Sequence, residues 1–227
     1  MKILPISPAR TAKRTGISIA MLLLAAGCAR HPVGRPFADS GPQKIPGRIQ
    51  CEFYDFGGEG VAYHDADSLN NGSGKLNPAD GTYLHEFRMR EGVDISYTKS
   101  GGIDDNVYNF VKPEPGSLYV GWTEPGEWLN YTVEIAESAD YRIGMMLTSN
   151  RGGTVSLSMD GRDVTGPIAI RSTYVAADTV AWRQWHHWNF QDSLAVIRLN
   201  KGLRTLTLHT LTGGNMNFDY MDFSPIR

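Results

Sequence analysis

From residue 46 onward, short apolar or alternating runs are separated by glycine, asparagine and aspartate, and no stretch has the periodicity of a helix. This pattern predicts β-strands. Turn signals such as Asp160-Gly161 and Lys201-Gly202 lie between the runs, as expected for antiparallel neighbours. We therefore predict an all-β sandwich over residues 46–227, with function carried by its loops. The predicted strands cover residues 48–53, 93–97, 117–121, 127–135, 141–148, 154–159, 168–172, 185–190, 195–199, 204–210 and 217–223.

The amino terminus has a different hydrophobic pattern. Basic residues precede an apolar stretch of 11 residues that runs from Ile17 to Gly27, and this order is typical of a secretory signal. A membrane-spanning helix needs roughly 20 apolar residues, which is far more than this stretch contains. The pattern therefore predicts export rather than a permanent transmembrane anchor.

The residues that end this stretch, Leu24-Ala25-Ala26-Gly27-Cys28, resemble the bacterial lipobox. The resemblance implies a lipoprotein signal peptide over residues 1–27 and acylation of Cys28; an ordinary signal peptide cut near Ala26 is the alternative. Residues 28–45 contain three prolines and predict a flexible tether that leads to the folded domain. Because Ala29 stands where an aspartate would favour retention in an inner membrane, we expect the lipid to anchor the protein to the cell envelope at the outer membrane.

Charge and cysteine content narrow the choice of partner and compartment. Removing residues 1–27 takes away four basic residues and no acidic one, so the formal charge changes from −2 to −6. A mildly acidic surface argues against a nucleic acid as partner. With Cys28 acylated, no second cysteine remains for Cys51, which we expect to be a small buried core residue.

Several motifs follow one another along the domain: IPGRIQCEFY (45–54), GGEGVAYHD (57–65), VGWTEPGEWLNYTV (120–133), Asp160-Gly161 with Thr165-Gly166-Pro167-Ile168, Trp182-Arg183-Gln184-Trp185 and Asp219-Tyr220-Met221-Asp222-Phe223. Together they resemble family 6 carbohydrate-binding modules. The resemblance spans residues 46–227, although the interval 66–116 is longer than in the usual module. It implies a jelly-roll β-sandwich of the galactose-binding-like type that binds carbohydrate and is not an enzyme.

The same resemblance implies a sugar site. In such modules two aromatic rings hold a sugar by stacking while an amide binds its hydroxyl groups, and the matching positions are Trp122, Trp182 and Asn217. Pyranose faces present C–H groups to aromatic faces, and rigid rings keep the ordering cost of binding low. The loop before residue 219 is one residue longer than usual in the family, which leaves Asn215 as an alternative to Asn217.

Each tryptophan could instead be a core residue. We expect Trp128 to pack in the core and Trp122 to lie in the site. Because Trp182 and Trp185 are an odd number of positions apart, a strand would place them on opposite faces. We therefore expect Trp185 inside and Trp182 at the ligand.

The resemblance further implies a structural calcium ion where the first and last strands meet, with Gln50, Glu52 and Asp222 as ligands. Gln50 and Glu52 are two apart on a predicted strand, so both oxygens can point at one hard cation. The alternative is a hydrogen-bonded strand edge without metal. His186 and His187 point opposite ways if they lie on a strand, so we expect solvated or packed histidines rather than a metal site.

Two other functions stay open. A glycoside hydrolase or lyase would need a pair of carboxyl groups about 5–10 Å apart, and a protein-binding lipoprotein would have kept the sandwich and lost the sugar slot. The interpretation that we favour is a poly- or oligosaccharide-binding domain that holds glycans near glycan-degrading enzymes or importers, because membrane confinement raises the effective concentration of a weakly bound chain. The acids available for catalysis are Glu52, Asp55, Glu124, Glu127 and Asp222.

Overall fold

The structure is a computed structural model that describes Met1, residues 34–37 and residues 41–226. Residues 2–33, which contain Cys28 and nearly all of the predicted signal peptide, lie outside the described residues. The described strands all belong to the compact unit His31–Arg227. In the part of the chain that is described, no helix has the length and apolar character needed to cross a bilayer.

Two packed sheets confirm the predicted all-β sandwich. The larger sheet has the order β1-β6-β12-β8-β10, with β3 beside β6 and β9 beside β8; the smaller has the order β11-β7-β13-β5-β4, with β2 beside β13. Neighbours are antiparallel except β1 and β6, which are parallel. The strands are β1 (Gln43–Ile45), β2 (Gly47–Gln50), β3 (Tyr63–His64), β4 (Ile95–Tyr97), β5 (Leu118–Val120), β6 (Trp128–Ile135), β7 (Ala139–Ser149), β8 (Gly153–Met159), β9 (Arg162–Asp163), β10 (Ile168–Ile170), β11 (Asn189–Leu199), β12 (Gly202–Gly213) and β13 (Met216–Pro225).

Alternation of apolar and polar positions directs one face of each sheet into a shared core. On β6, Val133 and Ile135 are buried while Glu134 between them is exposed. Cys51 is also fully buried and unpaired within this core, as predicted. Each Å² of apolar surface that is removed from water stabilises the fold by about 25 cal/mol, so this core is the main source of stability.

The smaller sheet is covered on its outer face as well. Met146 points away from the main core and forms a second cluster with Tyr119 and Trp188, all of them buried. The segment 99–111 lies against this cluster, since the Phe110 N–H donates to the Trp188 carbonyl oxygen at 2.9 Å. The long interval 66–116 therefore contributes packed structure to the sandwich.

Two differences from the predicted strands affect the candidate site. β2 ends at Gln50, and Cys51–Phe53 forms a 3₁₀ helix that the Tyr131 hydroxyl supports by donating to the Cys51 carbonyl oxygen at 3.0 Å. The predicted strand 185–190 is a strand only from Asn189 onward, and Trp185 is the last residue of the 3₁₀ helix Ala181–Trp185. Side chains on these two segments therefore do not alternate as in a strand.

A third difference concerns the start of the domain. Residues 43–45, which were expected to belong to the tether, form β1 and pair with β6. Ile45 is fully buried in the main core, so apolar burial holds this segment in the sheet. The first strand thus begins at Gln43, three residues before the predicted boundary, and Arg35 further upstream exchanges main-chain hydrogen bonds with Phe56.

Candidate functional site

Three segments meet around Asn217: the loop after β5, the 3₁₀ helix before β11 and the start of β13. The Asn217 Nδ2 donates to the Trp185 carbonyl oxygen at 2.9 Å and to Thr148 Oγ1 at 3.1 Å. Its Oδ1 accepts from the Trp122 N–H at 3.4 Å. The structure therefore brings Trp122 and Asn217 into contact and places Trp182 on the helix that Asn217 binds.

Asn217, rather than Asn215, joins these segments. Asn217 is buried at 6% exposure, whereas the side chain of Asn215 lies on an exposed turn. Both amide protons of Asn217 are used by Thr148 and Trp185, but its Oδ1 keeps a second lone pair that can accept another hydrogen bond.

The backbone of Trp122 is held in an unusual conformation. Its φ is 48°, in the left-handed region that costs a bulky residue about 1–3 kcal/mol. The loop on either side is fixed: a Cβ on Gly121 would lie 2.9 Å from Asn217 Oδ1, and the next residue, Thr123, exchanges hydrogen bonds with Met216. The Trp122 side chain is therefore half-buried, and the contacts of Gly121 and Thr123 fix the conformation of its backbone.

Trp182 is the most exposed tryptophan in the described part of the chain, at 54%. Gln184 in the same helix is buried, and its amide bonds the main chain of Val175 and Asp178 at 2.8–3.0 Å. These bonds hold the helix while its Trp182 ring stays open to solvent. Since side chains three apart eclipse in a 3₁₀ helix, Trp182 and Trp185 lie on one side of it.

A buried ion-pair network also supports the 3₁₀ helix that carries Trp182. Asp178 accepts hydrogen bonds from Arg183 at 2.7 and 2.8 Å and contacts His187 Nε2 at 2.7 Å. The Arg183 hydrogen bonds hold the pKa of Asp178 well below its usual range. His187 is fully buried, which agrees with the prediction of a packed histidine.

The structure corrects the predicted core tryptophans. Trp185 is half-buried, because its helix lies at the edge of the sheet and not in a strand. Trp128 is also half-buried, with its ring 6.4 Å from that of His64. Trp188 is the fully buried tryptophan instead.

Asn217→Ala is expected to lower the free energy of unfolding by about 2 kcal/mol, because the buried Trp185 carbonyl and Thr148 hydroxyl lose their partner. For a domain of this size, that corresponds to a decrease in Tm of about 4–8 °C in thermal denaturation. Asn215→Gly is the control, since it removes an amide from the same loop at a φ of 54° that suits glycine. Equal Tm values for the two variants would contradict the central role of Asn217.

The predicted calcium ligands are not brought together as a set. Gln50 is paired with Tyr220 across the strands, whereas Glu52 lies in the 3₁₀ helix, so the expected shared strand face is wrong. Asp222 alternates with the core residues on β13 and accepts a hydrogen bond from Ser224 at 2.6 Å.

Asp219 is the acid that the structure brings to Glu52. Both are buried, at 4% and 5% exposure. Burial raises the pKa of Glu52, and the nearby Asp219 carboxyl raises it further; burial raises the pKa of Asp219 to about 7. Sequence alternation did not single out Asp219, because the register of β13 shifts between Phe218 and Tyr220.

These two acids meet part of the requirements of a calcium site. Glu52 Oε2 is buried without a hydrogen-bond partner among the described residues, which is an acceptor available to a cation. No group of three or more His, Cys, Asp or Glu side chains within the described ranges is arranged for a metal. Calcium also accepts carbonyl and amide oxygens, so the pair fits a calcium ion whose other ligands are uncharged.

Other acids considered for catalysis serve as hydrogen-bond acceptors. Asp55 accepts from both the N–H and the hydroxyl of Thr132, at 2.8 and 2.7 Å. Glu127 accepts from the Glu124 and Ala66 N–H groups, at 2.7 and 3.2 Å, and burial raises the pKa of Glu127 to about 8. These carboxyl groups fix main-chain segments.

Comparisons with known proteins agree with this architecture. The family model "Carbohydrate binding module (family 6)" matches residues 94–225. CsCBM6-3 from Clostridium stercorarium, solved in complex with cellobiose, aligns with a TM-score of 0.51 and 14% identity over 82% of this chain and 99% of that chain. A β-1,3-glucan binding CBM6 from Bacillus halodurans aligns with a TM-score of 0.46 and 17% identity over 80% and 98% of the two chains. No curated protein matches the sequence.

Proposed function

Because the chain belongs to carbohydrate-binding module family 6, we propose that it binds a poly- or oligosaccharide without catalysis, with a sugar ring stacked between Trp122 and Trp182. One observation carries the proposal: Asn217 hydrogen-bonds the main chain at both tryptophan-bearing segments. Neither ring is buried, so both rings are accessible to a ligand.

The geometry is suited to weak, shape-selective binding. A sugar that stacks on a ring displaces water from apolar C–H faces. Because the Trp122 backbone and the Trp182 helix are fixed before the ligand arrives, little conformational entropy is lost on binding. Asn217 positions both segments, and its free Oδ1 lone pair accepts from a sugar hydroxyl.

We further propose that calcium binds at Glu52 and Asp219, with Gln50 and main-chain oxygens as possible uncharged ligands and without Asp222. The ion supplies positive charge to two carboxylates whose burial opposes ionisation. Its role in this proposal is to join the 3₁₀ helix after β2 to the start of the last strand.

For the whole protein, we propose anchoring through a lipid on Cys28. The lipid holds the domain at the outer membrane, and the domain retains glycan chains near degrading enzymes or importers. An acyl chain contributes about 0.8 kcal/mol per buried methylene, so the folded domain needs no membrane contact of its own.

Residues 31–227, which form one compact unit, provide the material for the test. We expect retarded migration in native gels that contain at least one of xylan, lichenan, laminarin, hydroxyethylcellulose or agarose, relative to gels without polysaccharide. Calcium is present throughout, and a cooperative thermal transition shows that the domain is folded. A folded domain that none of these glycans retards contradicts the proposed function.

A further inference from the structure

A buried carboxylate in the segment 99–111 contacts the residue that follows the helix that carries Trp182. The side chain of Asp104 is 1% exposed. Its Oδ1 accepts from Trp188 Nε1 at 2.7 Å and contacts His186 Nδ1 at 2.8 Å, and its Oδ2 accepts from the Lys99 N–H at 2.7 Å. Asp104 thus joins the long interval to the residue that follows the Ala181–Trp185 helix.

This contact determines which nitrogen of His186 carries the proton. An ionised carboxylate only accepts hydrogen bonds, and the indole N–H of Trp188 only donates. His186 Nδ1 must therefore donate to Asp104, which leaves Nε2 of the neutral ring as an acceptor. None of the residues that the structure describes hydrogen-bonds this Nε2, and the side chain keeps 20% exposure.

The same ring stands beside the proposed sugar platform. The ring centroids of His186 and Trp182 are 5.8 Å apart, and the planes are nearly perpendicular at 77°. A pyranose that lies flat on Trp182 directs its equatorial hydroxyl groups sideways, in the plane of the sugar. An acceptor on the neighbouring, upright ring is placed to meet such a hydroxyl.

We propose that His186 is a sugar-binding residue whose Nε2 accepts a hydrogen bond from a hydroxyl of the sugar unit stacked on Trp182, with Asp104 as its positioning residue. This inference rests on the proposed function and deepens it. It specifies a ligand whose stacked unit carries an unsubstituted hydroxyl at that edge, since a methyl ether or a sulfate ester there has no proton to donate.

The test compares variants of residues 31–227 by gel retardation in the five polysaccharides, at pH 8. His186→Phe keeps an aromatic ring beside Trp182 and removes the acceptor; we expect retention about three- to tenfold weaker, the usual effect of one neutral hydrogen bond. His186→Gln restores an acceptor and is expected to recover part of the retention.

A matched control comes from a second histidine of similar surroundings. His85 Nδ1 lies 2.7 Å from Asp80 Oδ2, and its ring is 4.8 Å from that of Tyr97. His85→Phe is expected to leave retention unchanged.

The outcomes separate the two proposals. Unchanged retention for folded His186→Phe, together with impaired retention for Trp182→Ala, overturns the role of His186 and leaves the stacking site intact. Equal weakening by His186→Phe and His186→Gln also overturns it, because then the acceptor is not what matters. If no glycan retains the unchanged domain, the proposed function fails and this inference fails with it.

Discussion

Trp182→Ala is expected to weaken glycan binding by about thirtyfold or more, because a central aromatic anchor typically contributes about 2 kcal/mol or more. At 54% exposure, the ring contributes little to the core, so the Tm of the domain is expected to change by only a few degrees. Isothermal titration with the oligosaccharide of whichever glycan retains the domain measures the loss.

Trp122 allows a sharper separation of binding from stability. Trp122→Gly removes the stacking ring at a φ of 48°, where glycine is unstrained and alanine is not. We therefore expect Trp122→Gly and Trp122→Ala to lose binding equally, while Trp122→Gly is the more stable of the two.

Tyr83→Ala is the control for both tryptophans, because Tyr83 is also an exposed aromatic residue, at 65%, and its edge contact is with Phe87. It is expected to bind as the unchanged domain does. Normal binding by both tryptophan variants would mean that the sugar does not bind at this end of the sandwich.

Calcium is expected to raise the Tm of the domain by about 5–10 °C at a concentration of about 100 Kd, since ligation then contributes about 2.7 kcal/mol. Glu52→Gln should abolish this shift, because the neutral amide supplies one weaker oxygen where the carboxylate would bind the ion. Asp222→Asn is the matched control and should keep the shift. If Asp222→Asn also abolishes the shift, Asp222 is a ligand, as the sequence predicted.

The pH dependence of the calcium-free domain follows from the same two acids. The pKa of Asp219 is raised to about 7 on folding, so the folded state binds more protons than the unfolded state above an ordinary carboxyl pKa of about 4. Stability must then fall as the pH rises from about 4 to about 7. Glu52→Gln should make the fall smaller, because burial also raises the pKa of Glu52 itself. Thermal denaturation across this pH range, with a chelator present, measures this fall in stability for both proteins.

Local patterns were reliable where a strand has one buried face. The runs at 127–135 and 154–159 form β6 and β8 nearly as predicted. Successive side chains of a strand point to opposite faces, so a strand with one buried face has apolar residues at every second position. The pattern was misleading at Trp182-Arg183-Gln184-Trp185. Hydrogen bonds from the buried Gln184 amide to the main chain of Val175 and Asp178 hold a 3₁₀ helix there, and the alternation of apolar residues carries no information about such bonds.

The positions Trp122, Trp182 and Asn217 were sufficient to select the three segments of the candidate site. They could not show that the Asn217 amide is used in joining those segments, since its partners Thr148 and Trp185 are distant in sequence. The pairing of Glu52 with Asp219 was hidden for a related reason. A register shift in β13 changes which acid faces inward, and register shifts depend on the neighbouring strands.

The sequence by itself determined the all-β class and the family, because these follow from periodicity and from motifs that are read locally. Only the tertiary structure decided which oxygens and nitrogens remain available for a ligand. A polar atom is available to a ligand only when no other group of the protein already bonds it. The contact between Asp104 and His186, which are 82 positions apart in the chain, is one such pairing. The pairing across that distance is set by how the two sheets and the segment 99–111 pack.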